Sequence, residues 1–500
     1  MPEEPRRYLF HPLERRGVIL GLQPVQLAGI LAGAVAAVVA GRAAPGPAGP
    51  ATAILVLVLA AAAALWSREG KPIVAWVAVA AGWLTRRCRG PWLDPECIAG
   101  RRGRIPTGAG AIASRGRAPS APRGRPPGPS RHRPARRLRS VPGLAGIELV
   151  GHAAGPGQRD LGLVRDHRSS TWAAVLPVHG RAFSLLDPAD QIGCLDGWRA
   201  VLGALARPGT PLRRIQWVAR SAPTGGGDLP SAPRSRQDDA AAISYGGLVA
   251  AEAPTIQAHE VWLVLAVGGP GRPGPGRDRA IDSLQREIRL LEGQLRHADL
   301  HPGPPLGPDA LMHALAEAHD LEACRPASRL VRAWPAASAE DWSALHAGGS
   351  WHVTYWIAEW PRIEVGADFL SPVLLASGRQ TLSVVMAPVP PERAAREVRS
   401  ARTADVADEE LRRRAGFLPS ARRGREADGV VQREAELAEG HAEYRYSGYV
   451  TVTAASPTEL AAACIDAEQR AQASHLELRR LYGRQADAFA WTLPLARGLA

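Results

Sequence analysis

Five hundred residues bound the chain to two or three domains. Its five cysteines (Cys88, Cys97, Cys194, Cys324 and Cys464) are odd in number, widely spaced and free of any C-x-x-C, which argues against a disulfide framework or zinc knuckle and fits a reducing compartment. The formal net charge is +13, yet residues 86–139 alone hold fifteen arginines against Asp94 and Glu96, so the basicity belongs to one segment and the remainder is neutral.

Residues 1–21 form a short basic arm. Leu22–Ala40 then runs 19 residues without a charge, and Ala51–Trp66 adds 16 more. At about 1.5 Å per residue the first covers roughly 28 Å, close to the hydrocarbon thickness of a bilayer. The pair is expected to form a transmembrane hairpin over 22–66, turning at Gly41–Pro50. A signal peptide is the rival reading; the second apolar segment and the proline-rich Ala43–Pro47 disfavour it. A buried soluble hairpin is disfavoured because both segments are apolar all round. Gly29, Gly33, Ala37 and Gly41 recur every four residues, a stripe that lets another helix, here the second one, approach closely. Chance spacing in an Ala/Gly-rich helix is the competing explanation.

Arg6, Arg7, Arg15 and Arg16 precede the first helix, Arg68, Lys71, Arg86, Arg87 and Arg89 follow the second, and Arg42 stands alone between them. The positive-inside bias therefore expects both termini in the cytoplasm, on the inner membrane. Residues 67–85 contain a further apolar run, Ile73–Leu84, too short to span. With Trp76 and Trp83 on one face and Trp66 just before it, an interfacial helix on the cytoplasmic leaflet is expected; a third span is the alternative.

Residues 86–142 are rich in Arg, Pro, Gly and Ser and have almost no apolar periodicity, the composition of a disordered basic linker. Anionic lipid is its first expected partner and nucleic acid its second. Without interleaved aromatics, nucleic-acid binding there would be sequence-blind and salt-sensitive.

From about 143 the pattern becomes globular. Strands are expected at Leu144–Val150, Leu161–Val164, Thr171–Val178, Arg214–Ala219, His259–Val267, Trp351–Glu359, Gln380–Pro388 and His441–Ala454, with a last one at Asp487–Leu495. Asp187-Pro188-Ala189-Asp190 opens a helix with an aspartate cap and proline at the first position. Ile281, Leu284, Ile288, Leu291 and Leu295 mark an amphipathic helix, and another is expected over Pro308–Arg325. Residues 326–348 read as loop, with Trp334 and Trp342. A charged helical region runs from Pro390 to Glu439 with a break near Gly416–Pro419. Ser456-Pro457-Thr458-Glu459 is a capping box that starts a helix to about Tyr482. The alternation makes 143–500 an α/β or α+β domain, with a sub-boundary near 326–350.

Chemistry is absent where it would be sought. Lys71 is the only lysine, so no Walker A loop exists. Gly269-Pro270-Gly271-Arg272-Pro273-Gly274 matches G-x-G-x-x-G, but its prolines remove amide donors and stiffen a loop that should wrap a pyrophosphate. His259-Glu260 lacks the second histidine of a zinc-protease motif, since Leu263 stands there. His152, His167 and His179 show no ligand spacing. No catalytic residue, cofactor or metal is expected, and a non-enzymatic, structural role follows.

Several stretches carry a family resemblance: WPRIEVGADFLSPVLLA (Trp360–Ala376), VVMAPVPPERAAREVRSARTADVADEELRRRAGFL (Val384–Leu418), HAEYRYSGYVTVTA (His441–Ala454) and LELRRLYGRQADAFAWTLPLARGL (Leu476–Leu499). They resemble actinobacterial membrane proteins of type IV secretion-like, conjugation-like systems. The N-terminal hairpin looks like the small PrgI-type membrane subunit. The soluble region is similar to the N-terminal, non-hydrolytic domain of VirB-type secretion ATPases. The resemblance implies a membrane scaffold in an oligomeric machine whose ATPase is a separate chain. Arg412, Arg413 and Arg414, on the charged helices, are the candidate docking residues for it. The runner-up is a membrane-tethered lipid- or nucleic-acid-binding protein acting through the basic linker.

Overall fold

The computed structural model describes residues 24–43, 48–68, 71–88, 92–93, 136–137, 143–153, 160–181, 183–223, 257–270, 274–320, 337–414 and 421–499, with single residues at 90, 244 and 247. The basic arm, most of the arginine-rich stretch, nearly all of residues 224–256 and the break at 416–419 lie outside these.

Two apolar helices come first, α1 (Pro24–Ala43) and α2 (Ala48–Leu65). Val25–Ala43 is long and apolar enough to cross a membrane, and Ala48–Ala64 is a shorter apolar helix. They pack antiparallel along the small-residue stripe. A Cβ on Gly33 would collide with that of Ala60, and one on Gly41 would lie 3.0 Å from the Ala53 Cβ. Ala37 and Ala64 are buried between the helices, and Gln26 Nε2 donates to the Ala64 carbonyl at 3.1 Å. A two-residue ladder, β1 (Ser67–Arg68) with β2 (Lys71–Pro72), turns the chain directly into α3 (Ile73–Arg87).

The rest is organised on one mixed-length sheet in which every pairing is antiparallel, so the domain is α+β rather than α/β. Its strands are β3 (Trp92–Leu93), β4 (Arg136–Arg137), β5 (Ile147–His152), β6 (Leu161–Asp166), β7 (Thr171–His179), β8 (Leu212–Pro223), β9 (Gln257–Gly268), β10 (His301–Pro302), β11 (Ala337–Glu340), β12 (Leu345–Ala347), β13 (Ser350–Glu359), β14 (Arg379–Pro388), β15 (Tyr444–Ala454) and β16 (Glu477–Arg480). The helices are α4 (Pro188–Leu205), α5 (Pro275–His297), α6 (Pro308–His319), α7 (Ser371–Leu374), α8 (Pro391–Arg414), α9 (Ala421–Ala438), α10 (Pro457–Ala473) and α11 (Gln485–Thr492).

The sheet contains the same motif twice. β7-α4-β8-β9-α5-β10 has strand order β10-β7-β9-β8, and β13-α7-β14-β15-α10-β16 has order β16-β13-β15-β14. Both are the split βαβ arrangement, 4-1-3-2 in motif order. The halves join through their second strands, β8 against β14, paired antiparallel from Ser221↔Gln380 to Ile215↔Met386. That pairing implies a local two-fold perpendicular to the sheet. The likeness reaches single residues: Asp299 (φ 57°) and His475 (φ 54°) both end a long helix in the left-handed region. The following amides close matching bonds, Leu300 N to the Leu295 carbonyl at 2.9 Å and Leu476 N to the Ala471 carbonyl at 2.8 Å.

Strand alternation splits the core between two faces. On one, Trp172, Ala174 and Leu176 of β7 meet Ile281, Leu284 and Leu291 of α5. Val450 of β15 lies on this side with Val373 and Ala471 of α7 and α10. On the other, Val175 and Val264 meet Leu311 and Leu315 of α6 and Phe489 of α11. The C-terminal tail seals this second face. Gln216 at the seam donates to Ser383 Oγ at 2.8 Å and to the Leu493 carbonyl at 2.9 Å, and accepts from Ala496 N at 2.7 Å. Arg497 grips Asp166 with two bonds of 2.8 and 2.7 Å and donates to the Gly143 carbonyl at 3.0 Å, tying the end of the second half to the start of the first.

Several boundaries differ from the sequence reading. Asp487–Leu495 is not a strand: its first part belongs to α11, a helix whose residues are buried nearly all round and so show no amphipathic period. The helix opened by the Ser456 box stops at Ala473, because His475 takes the left-handed conformation and β16 follows. The helix from Pro308 stops at His319. The expected loop before 348 holds β11 and β12. The charged region is a helical hairpin, α8 and α9, inserted between β14 and β15.

Candidate functional site

The site that joins the apolar helices to the sheet is the seat of α3. The helix begins where the ladder leaves it, with Ile73 N bonded to the Trp66 carbonyl at 3.1 Å. Trp76 and Trp83 share one face, as their spacing predicts, but that face is turned onto the sheet domain. Trp342, between β11 and β12, lies 6.0 Å from the Trp76 ring and 5.3 Å, edge-on, from the Trp83 ring. Tyr482, after β16, stacks with Trp342 and lies 6.1 Å from Trp76. Aromatic pairs at these distances add about 0.5–1.5 kcal/mol each beyond the apolar area they bury. Gly483 closes the seat. It has φ +66°, and a Cβ there would meet the Trp342 ring at 2.7 Å and Val79 Cγ1 at 2.9 Å, so glycine is required twice over.

Arginines fasten the end of the helix. Arg86 Nε donates to Glu340 Oε2 at 2.9 Å, and its Nη2 donates to the Gly483 carbonyl. The nearly buried Glu340 carboxylate also accepts from Ala486 N at 3.1 Å, at the first turn of α11. One carboxylate thus links α3, β11 and a core helix, a charge-assisted arrangement stronger than neutral bonds. Arg87 lies over the Trp83 ring at 5.0 Å and pairs with Asp341 at 3.4 Å, both exposed. Trp66 stands apart, 70% exposed.

The other residues singled out in the sequence fall in two places. Gly33, Ala37 and Gly41 line the α1–α2 contact, and Gly29 is half-buried on α1. Arg413 and Arg414 are at the free end of the α8–α9 hairpin, each bonded to Glu410, at 2.9 and 2.8 Å. The side chain of Arg412 lies outside the described ones. The hairpin's base is fixed by a small apolar core of Val398, Ala401 and Val430. Beside it Glu397 accepts from Arg393 at 2.8 Å and from Arg445 at 2.6 Å. Those bonds hold the Glu397 carboxyl below its usual range. Farther out Val406 is exposed.

A second polar cluster sits under α10. The Tyr355 hydroxyl donates to Glu468 Oε1 at 2.7 Å and accepts from Arg480 Nη2 at 2.8 Å. Burial first, then Cys464, pushes the phenol well above its usual range, and burial also pushes the Cys464 thiol up. Both groups keep their protons near neutrality. The adjoining groove, about 500 Å³, is lined by Glu359, Trp360, Arg362, Glu468 and Glu477 among others. Among the described residues no group of three or more His, Cys, Asp and Glu side chains is placed to hold a metal ion.

Sequence reasoning found both tryptophans of α3 but not their partners. Trp342, Tyr482 and Glu340 are remote in the chain, and the one available signal was a tryptophan in a stretch read as loop. A scan against protein-family models finds no match to the chain, and a search of curated proteins finds no relative.

Proposed function

We propose that this protein is a non-catalytic scaffold, held in the inner membrane by α1 and α2 as a two-span hairpin, with both termini and the whole sheet domain in the cytoplasm. The observation that carries the reading is the apolar pair itself. Leu31, Val35 and Ile54 point outward and are 67%, 65% and 63% exposed, while small residues fill the contact between the helices. In water each such aliphatic side chain forgoes about 1.5–3 kcal/mol of burial, whereas lipid satisfies it. The ladder and the α3 seat then fasten this pair to the domain without a free linker. By the resemblance in the sequence, the scaffold belongs to a type IV secretion-like or conjugative machine. In that setting the α8–α9 hairpin, with Arg412, Arg413 and Arg414 at its end, offers the surface for a separate VirB-type ATPase.

Topology is the direct test. In a background lacking the native cysteines, Gly46→Cys is expected to react with an impermeant maleimide on intact cells, and Glu439→Cys only after permeabilisation. Labelling at 439 from outside, or extraction of the protein from membranes by alkaline carbonate, overturns the reading.

A further inference from the structure

The face of α3 turned away from the domain is also apolar. Ile73, Val77, Ala81 and Leu84 follow one another at helical spacing on that side, with Val77 66% and Leu84 52% exposed. A helix packed on a soluble domain ordinarily turns polar groups outward. Here Trp76, Val79, Trp83 and Arg86 take the inner side, and the outer side carries no charge between Ile73 and Thr85.

We infer that the outer stripe of α3 lies in the interfacial layer of the same membrane that holds α1 and α2, with the sheet domain clasped to its opposite face. The occupant is lipid rather than protein because the stripe is continuous with the lipid-facing surface. The β1–β2 ladder places the start of α3 against the end of α2, and exposed Trp66, a residue that prefers the headgroup level, stands at that joint. A helix of 15 residues is about 22 Å long, too short to cross but long enough to lie flat. The tryptophans of α3 are therefore the grip on the domain, and the aliphatic stripe is the grip on the lipid. One consequence is geometric: the end of the sheet carrying Glu340, Trp342 and Gly483 faces the bilayer at fixed depth. This inference rests on the membrane reading of α1 and α2.

The test uses the full chain, with native cysteines replaced, in vesicles of phosphatidylcholine and phosphatidylglycerol. Spin labels are placed singly at Val77→Cys, Leu84→Cys and, as the reference inside the bilayer, Val58→Cys. Collision rates with oxygen and with a polar nickel chelate report depth. Oxygen is expected to dominate at 77 and 84, at a depth between the aqueous phase and position 58. An aqueous pattern at 77 and 84 with a lipid pattern at 58 overturns the inference and leaves the anchor standing. An aqueous pattern at all three overturns both. Dipolar broadening between labels at 77 assigns the stripe to a second copy of the chain, and protection from both collision partners assigns it to protein; either result overturns the lipid assignment.

Discussion

At the scale of single residues, His319 and His352 show what burial does to a titratable group in this fold. His352 Nδ1 pairs with Thr453 Oγ1 at 2.9 Å and its Nε2 with the His319 carbonyl at 3.1 Å, while His319 Nδ1 pairs with the Leu315 carbonyl at 2.7 Å. Both rings pack on Phe489, at 4.5 and 4.7 Å, where α6 of the first half meets β13 of the second. Burial lowers the pKa of His319 to about 4, against smaller upward pulls from the Leu315 carbonyl and Asp320. Burial and then His319 lower His352 to about 3, with His346 and Arg379 acting in the same direction. Both folded values lie below that of an unfolded histidine, near 6.5. The stability tied to neutral rings is thus complete above that pH and is lost as pH falls toward the folded values. Between neutrality and pH 5 each ring should cost about 2 kcal/mol. Urea midpoints measured across that range should fall for the native protein and fall less for His352→Gln; parallel curves would refute the account. Asp166 adds to acid lability lower down. Burial pushes its carboxyl up, but Arg497 outweighs this and holds it below the usual value, so its contribution disappears as pH drops through the folded pKa.

At the scale of elements, the α8–α9 hairpin exposes most of its described side chains. Arg413 and Arg414 are already engaged by Glu410, so a partner that reads these arginines must compete with an intrahelical carboxylate. Glu410→Gln should therefore preserve or strengthen capture of the proposed ATPase partner from solubilised membranes. Simultaneous reversal of Arg412, Arg413 and Arg414 to glutamate should abolish it. Equal capture by native and reversed proteins would remove the hairpin as the docking site. Much of this layer was legible beforehand. β7, β9, β13 and β14 fall within two residues of the runs of β-branched and aromatic residues that announce them, and the Asp187 and Ser456 caps bond the expected amides. The losses have physical causes. α11 is buried nearly all round and so has no polar face to give it a period. α10 ends on a left-handed His475, a position where glycine would be the usual signal. The Trp76–Trp83 spacing reveals a shared face but not what that face meets, because Trp342 and Tyr482 reach it only through the strand order. That order, with two remote halves joined at β8 and β14, leaves no local trace.

At the scale of the whole molecule, the α3 seat attaches the apolar helices to the sheet domain ahead of the arginine-rich stretch. β3, just before it, pairs with β11 at one edge of the sheet, and β4, at its end, pairs with β5 at the other. In the strand order β3 and β4 are eleven steps apart, roughly 50 Å at about 4.8 Å per step. A protease recognition sequence placed after residue 115 allows the consequence to be measured. After cleavage, the N-terminal piece and the large piece should still elute together in mild detergent and part in urea. Separation under native conditions would show that the α3 seat does not hold by itself.

Two copies of one motif joined edge to edge about a two-fold have the symmetry of a homodimer, in which every surface feature occurs twice. Written into a single chain, the same architecture is released from that obligation. Here the α3 seat, with Trp342 before β13 and Gly483 after β16, flanks the second copy, and the closing strands differ, β10 having two residues and β16 four. With one α3 seated beside one copy, a symmetric sheet acquires a single direction. The orientation of the sheet relative to α1 and α2 is thereby set within one polypeptide.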